Sequence, residues 1–264
     1  MKATAALWRS VVVPVEHGGW GFLGEPILLG LCLAPTASGV ALAAAVVAAF
    51  LARQPLRLAL LDRRRGTRHA RTLVAQRAAL SFSALAMALV LLALVLSGPT
   101  FWPAVALGLL PGALAVASDA RGTSRGVVPE VAGAVALATS APAIALAGGV
   151  SSAVALGAWA LLALRAWTSI LYVRARLRLD RGRPAGVRTV LVAHVFAVLG
   201  AVALAALGHA PRLGVVAFVL FLARATHGLS SWRPPLRPQA LGFRELGFGL
   251  AAIVLLVAGY RAAL

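Results

Sequence analysis

The feature that most constrains this chain is a succession of apolar stretches, each close to the length that crosses a bilayer and separated by short polar connections. Hydropathy, glycine and proline breakers and charge divide it into nine expected spans. They run approximately Trp20–Ala34, Val40–Leu61, Leu73–Leu96, Phe101–Ser118, Val127–Ala147, Ser151–Val173, Val187–Leu207, Leu213–His227 and Leu241–Tyr260. A chain that is 61% hydrophobic and 12% charged, with mean hydropathy +0.92, lies outside the range of soluble domains. In lipid every backbone polar group needs an internal partner, so such stretches fold as helices. The expectation is an all-α bundle, one integral membrane domain over residues 1–264. The first and eighth spans are short and carry glycine or proline near an end.

Charge sets the topology. Of the 25 basic residues all but Lys2 are arginine, and they gather in "RRRGTRHAR", "SDARGTSR", "YVRARLRLDRGRPAGVR" and "SSWRPPLRPQALGFR", the connections after the second, fourth, sixth and eighth spans. The opposite connections, "APTASG", "SGPT", "AGGVSS" and "GHAPR", are nearly uncharged. Only Arg212 and Arg261 fall on that side. Basic loops mark the cytoplasm, so the N-terminus is expected there, and the net charge of +18 is read as topology and contact with anionic lipids rather than as a nucleic-acid surface. All seven acidic residues also map to the cytoplasmic half, which puts polar chemistry there. The opening residues "MKATAALWRSVV" lack the features of a cleaved signal peptide, so the first span is expected to be retained. One cysteine, Cys32, rules out an intramolecular disulfide.

Three stretches carry candidate chemistry. In "PVEHGGWGFLGEP", residues 14–26, glycines admit a close neighbour and Trp20 is placed as an interfacial anchor. Glu25 lies about 12 Å beyond His17 along a helix, which brings a carboxylate into or near the hydrocarbon. It must be paired, protonated or wet there. Its plain structural partner is Arg165, the one arginine read as well inside a span, and its functional role is as an acid–base pair with His17. In "RQPLRLALLDRRRGTRHAR", Arg53 and Arg57 share a helix face, Pro55 is expected to kink it, and the guanidinium forks suit a phosphate. "RAWTSILYVRARLRLDRGRPAG" mirrors that stretch with Arg174 and Arg178 followed by Asp180, as Asp62 follows Arg57. The plain reading of both loops is contact with anionic lipid. His194 lies about two turns inside the seventh span, where a neutral hydrogen-bonded imidazole is the usual state. Paired with His17 it would be a haem-iron ligand, but their expected depths differ.

On "PVEHGGWGFLGEP", "FLARQPLRLALLDRRRGTRHARTLVAQR" and "YVRARLRL" the chain resembles the YwiC-like family of bacterial multi-pass membrane proteins. Pro14, His17, Gly18, Trp20 and Pro26 match its opening pattern. The resemblance implies a bacterial cytoplasmic membrane location and a topology, and supplies no mechanism. A looser architectural likeness is to the UbiA superfamily of intramembrane prenyltransferases, whose aspartate-rich motifs follow the second and sixth spans and hold Mg²⁺-bound prenyl diphosphate. Asp62 and Asp180 occupy the corresponding places, each a single aspartate flanked by arginine where that superfamily has clusters. The arginines would weaken a Mg²⁺ site and neutralise a diphosphate directly.

The leading functional expectation is therefore a cytoplasm-facing cavity for an anionic prenyl lipid. Arg53, Arg57, Arg174 and Arg178 would hold its head, Asp62 and Asp180 would orient it or share Mg²⁺, and Glu25 with His17 would stand near the reacting end. The alternative is a small-anion transporter built on Glu25, Arg165 and His194. A non-catalytic membrane assembly factor is the third reading.

Overall fold

The computed structural model describes residues 19–67 and 69–263, together with Trp8, Val11 and Val12. His17 lies outside the described residues. Among the described residues from Gly19 onward ten α-helices follow one another: α1 (Gly19–Leu33), α2 (Ala37–Arg64), α3 (Ala70–Ser97), α4 (Trp102–Arg121), α5 (Val127–Ala138), α6 (Ser140–Ala147), α7 (Ser152–Leu179), α8 (Val187–Ala206), α9 (Arg212–Leu229) and α10 (Pro238–Ala263), with a 3₁₀ turn at Gly98–Phe101. No strand occurs among the described residues.

Local chemistry sets the helix ends. Thr36 begins α2 by accepting the Gly39 amide at 3.1 Å, which satisfies one of the orphan donors of a first turn. Gly98, at φ +67°, ends α3 in a conformation that a side chain would resist. The expected single helix over Val127–Ala147 is broken at Thr139. Pro142 has no N–H to offer the Ala138 carbonyl, and the Thr139 and Ser140 hydroxyls turn back onto the carbonyls of Ala136 and Leu137.

Among the described residues seven helical stretches are long and apolar enough to cross a membrane, including the 52-residue Ala70–Arg121 and the 21-residue Val127–Ala147. The first expected span differs. Gly19–Leu33 has 15 residues, which at 1.5 Å per residue reach about 22 Å, less than the roughly 30 Å of hydrocarbon. Ala70–Arg121 would reach about 78 Å if straight, yet it reverses at the 3₁₀ turn. Thr72, at its start, bonds Asp62 near the end of α2. Phe101 packs with Ala41 and Leu42 near the start of α2, and Asp119 returns to Arg53. Thus α3 runs antiparallel to α2, and α4 runs parallel to it.

The bundle is organised around α6 and α7. Helix α6 touches α1, α2, α4 and α7, and α7 touches α1, α5, α6, α8, α9 and α10. The first helix also packs on the last, closing the bundle. By contrast α3 rests chiefly on α2 and turns Leu80, Leu85, Met87, Leu91 and Val95 outward, as a lipid-facing helix does. Alanine is the commonest buried residue and glycines stand at several helix contacts, so backbones approach closely. At Gly157 a Cβ would fall onto the His209 carbonyl. Gly157→Val is accordingly expected to cost about 1–3 kcal/mol by overpacking, seen as a lowered unfolding midpoint in detergent, whereas the same change at Gly66, in open space at φ +64°, should move only the local turn.

Candidate functional site

Arg165 sits half-way along the 28-residue α7, about 20 Å from either end. A guanidinium there needs acceptors, and two helices supply them. Its Nη2 donates to Glu25 Oε1 of α1 at 2.6 Å and to the Glu245 backbone oxygen of α10 at 3.3 Å. Its planar face lies between the rings of Phe22 and Phe221, at 5.7 and 5.6 Å, so aromatic quadrupoles replace part of the lost hydration. Gly249 makes the arrangement feasible, since a Cβ there would occupy the positions of Glu25 Oε1 and Arg165 Nη2.

A second pair is joined to the first through Glu245. Arg224 of α9 donates from Nη1 to Glu245 Oε2 at 2.5 Å, and its Nη2 is 3.1 Å from His194 Nε2. An arginine can only donate, so Nε2 is the acceptor and the ring proton resides on Nδ1, which donates to the Val190 carbonyl at 2.8 Å. His194 is therefore a neutral imidazole. The Arg224 guanidinium also lies 4.3 Å from the ring centre of Tyr172. Tyr172 itself fits against α9 only because residue 228 is glycine.

Five side chains from α1, α7, α8, α9 and α10 thus form one connected set, with two carboxylates matching two guanidiniums. Glu25 is 2%, Arg165 5%, His194 1% and Arg224 7% exposed. The balance is close but incomplete: Arg165 Nε and Arg224 Nε are buried with no hydrogen-bond partner among the described residues. Beside this set, towards the arginine-rich end, is a cavity of about 80 Å³ lined in part by Arg176, Arg224, Arg244, His227 and Glu245.

The loop residues expected to hold a head group are placed differently. Arg53 forms a two-pronged bond to Asp119 of α4, at 2.7 and 3.2 Å, with Arg57 4.0 Å from the same carboxylate. Asp62 accepts from Thr72 at 2.7 Å and from Arg71 at 3.4 Å. Arg174 donates to Glu130 and to the Arg125 carbonyl, and Arg178 to the Pro184 carbonyl. Asp180 lies between Arg176 and Arg233, at 3.0 and 3.6 Å. The oxygens of Asp62 and Asp180 thus already face donors, so this set does not fit Mg²⁺, a hard cation that wants oxygen ligands and keeps its own waters.

The structure therefore brings Glu25, Arg165 and His194 into one network. Arg224 and Glu245 complete it, and sequence reasoning passed over both. Their signal was present: Arg224 lies inside the expected eighth span, and Glu245 four residues into the ninth, where an ionisable side chain is costly. Each stands within a turn or so of a span end, beside the basic loop of residues 230–244, where a charge is ordinarily read as facing water.

The fold and this site define an integral membrane helix bundle with a buried, charge-balanced core. More narrowly, the chain belongs to the YwiC-like family, whose model matches residues 13–145, half of the chain. That stretch contains Glu25 and ends before α7, so the other four members of the network lie beyond it. No curated protein and no solved structure matches the chain.

Breaking one buried ion pair leaves a charge without its counterion, at about 3–5 kcal/mol. Glu25→Gln and Arg165→Gln are each expected to lose stability on that scale. The double variant should lose distinctly less than the sum, as a double-mutant cycle of unfolding midpoints in detergent would read directly.

Proposed function

We propose that the protein is a membrane carrier for a small anion, crossing the bilayer nine times with its arginine-rich end in the cytoplasm. The observation that carries this reading is the charge-balanced set Glu25, Arg165, Glu245, Arg224 and His194, held between α1, α7, α8, α9 and α10. Apolar packing alone can hold such a bundle together, and four ionised groups at that depth each cost a few kcal/mol on insertion. A site that must accept and release a charge gives them a use. Each arginine already holds a carboxylate, so an entering anion exchanges with Glu25 or Glu245 rather than meeting an empty pocket. A displaced carboxylate can take up a proton, and His194 Nε2 is a base already in contact with Arg224. Anion and proton movement are thereby coupled without a net charge being left inside.

The nine crossings rest on the reversal at Gly98–Phe101, which divides Ala70–Arg121 into two, and on α1 reaching the central network despite its length. The orientation rests on the loop arginines. The test is uptake of labelled phosphate, sulfate and acetate into proteoliposomes containing the full chain. Wild type is expected to move at least one of the three, and Arg224→Gln and Glu245→Gln, shown to be folded, to reduce that flux by about tenfold or more, as removal of one member of a buried charge pair implies. Wild-type vesicles no leakier than protein-free ones to all three would overturn the carrier.

A second reading, closer to the prenyl-lipid expectation, is favoured by a separate feature. An apolar groove of about 290 Å³ is lined by Pro111, Val127, Val128, Val131 and Trp167 among others. Glu130, between two of those positions, is bonded to Arg174, two turns beyond Trp167 on α7. The groove suits an isoprenoid or acyl chain, with Arg174 beside its head. Native mass spectrometry with prenyl diphosphates would then show saturable binding, weakened in Trp167→Ala and Arg174→Ala, and no selective binding would remove this reading.

A further inference from the structure

We propose that the cavity between α7, α9 and α10 is a binding site for a small water-soluble oxyanion of the phosphate or carboxylate class, the station at which such an ion waits beside Arg224. This rests on the carrier reading for its purpose, though not for its existence. The cavity's charge is lopsided where the network's is balanced. Arg176, Arg224 and Arg244 line it against the single carboxylate of Glu245, with His227 beside them. Counting Asp180, which Arg176 shares with Arg233, four arginines face two carboxylates, a surplus of two positive charges.

The three lining arginines are not equivalent. Arg176, only 1% exposed, has a partner at each of its three nitrogens, in Asp180, the Gly228 carbonyl and the Pro234 carbonyl, so it builds the wall. Arg224 keeps a buried Nε with no hydrogen-bond partner among the described residues. Arg244 is exposed and has no ion-pair partner among the described residues. An oxyanion in the cavity would give both of them acceptors, and guanidinium forks match the oxygen spacing of phosphate and carboxylate alike.

Size and access choose among anions. About 80 Å³ is several times the roughly 10–15 Å³ that one water requires, enough for a single small oxyanion and too little for a lipid head with its glycerol. The connection from α9 to α10 borders the cavity. Pro234 lines the cavity while Arg176 holds the Pro234 carbonyl and Arg233 leans on Asp180.

The experiment is calorimetric titration of sodium phosphate, and separately of acetate, into the full chain in neutral detergent and in phosphatidylglycerol nanodiscs. One saturable site per chain is expected for at least one of the two ions in both environments. Affinity should fall about tenfold or more in Arg244→Gln, whose loss leaves the buried network intact, and should be unchanged in Arg121→Gln, an exposed arginine on α4 away from the cavity. Absence of saturable binding by either ion, or equal weakening in both variants, overturns the site. Binding in detergent that vanishes in phosphatidylglycerol assigns the cavity to a lipid head group and overturns the soluble-ion reading. Binding without flux in proteoliposomes leaves the site standing and removes the carrier. Flux that Arg244→Gln leaves unchanged, together with unchanged binding, removes the site and leaves the carrier.

Discussion

Two arginines and two glutamates that neutralise one another inside the bundle set the terms for everything packed around them. A guanidinium at the centre of a membrane helix is tolerable only if its hydrogens find acceptors and its charge finds a counterion. Arg165 takes those from α1 and α10, and Arg224 from α8 and α10. Three helices, α1, α8 and α10, are thereby tied to α7 and α9 at particular heights and rotations. Apolar contacts between alanine-rich surfaces would permit many registers; the polar contacts select one.

That selection needs room, and small residues provide it. Gly249 lets the first ion pair press against the backbone of α10, and Gly228 admits the Tyr172 ring that shields Arg224. The aromatic rings of Phe22, Phe221, Tyr172 and Phe248 enclose both guanidiniums. They keep the local dielectric low while offering their negative faces to the cations. Charge, ring and missing side chain are parts of one device, and substituting any of them disturbs the others.

Much of this was legible in the amino-acid sequence. The helical stretches and the crowding of arginine at one end follow from hydropathy and charge, and Arg165 was the natural partner for Glu25 because few other cations lay at its depth. The network's remaining half was not, since Arg224 and Glu245 stand near span edges, and a sequence does not say how far a helix extends before its charges meet water. Nor did arginine-rich loops reveal their partners. Arg53 and Arg174 look like free cations in sequence, yet they find Asp119 and Glu130 across 66 and 44 residues. The break at Thr139 was visible as Pro142, but the same proline is often absorbed in a continuous helix.

The separation between Glu25 and Arg165, 140 residues along the chain, bears on the order in which the protein is made. The first helix emerges short and bearing a carboxylate whose counterion belongs to α7. Until that helix arrives, the carboxylate must either hold a proton or remain at the water interface, and the second pair is complete only once Glu245 of α10 has been added. Glu25 is thus stranded until α7 is made, and a chain truncated before α10 keeps the Glu25–Arg165 pair but leaves Arg224 inside without its carboxylate.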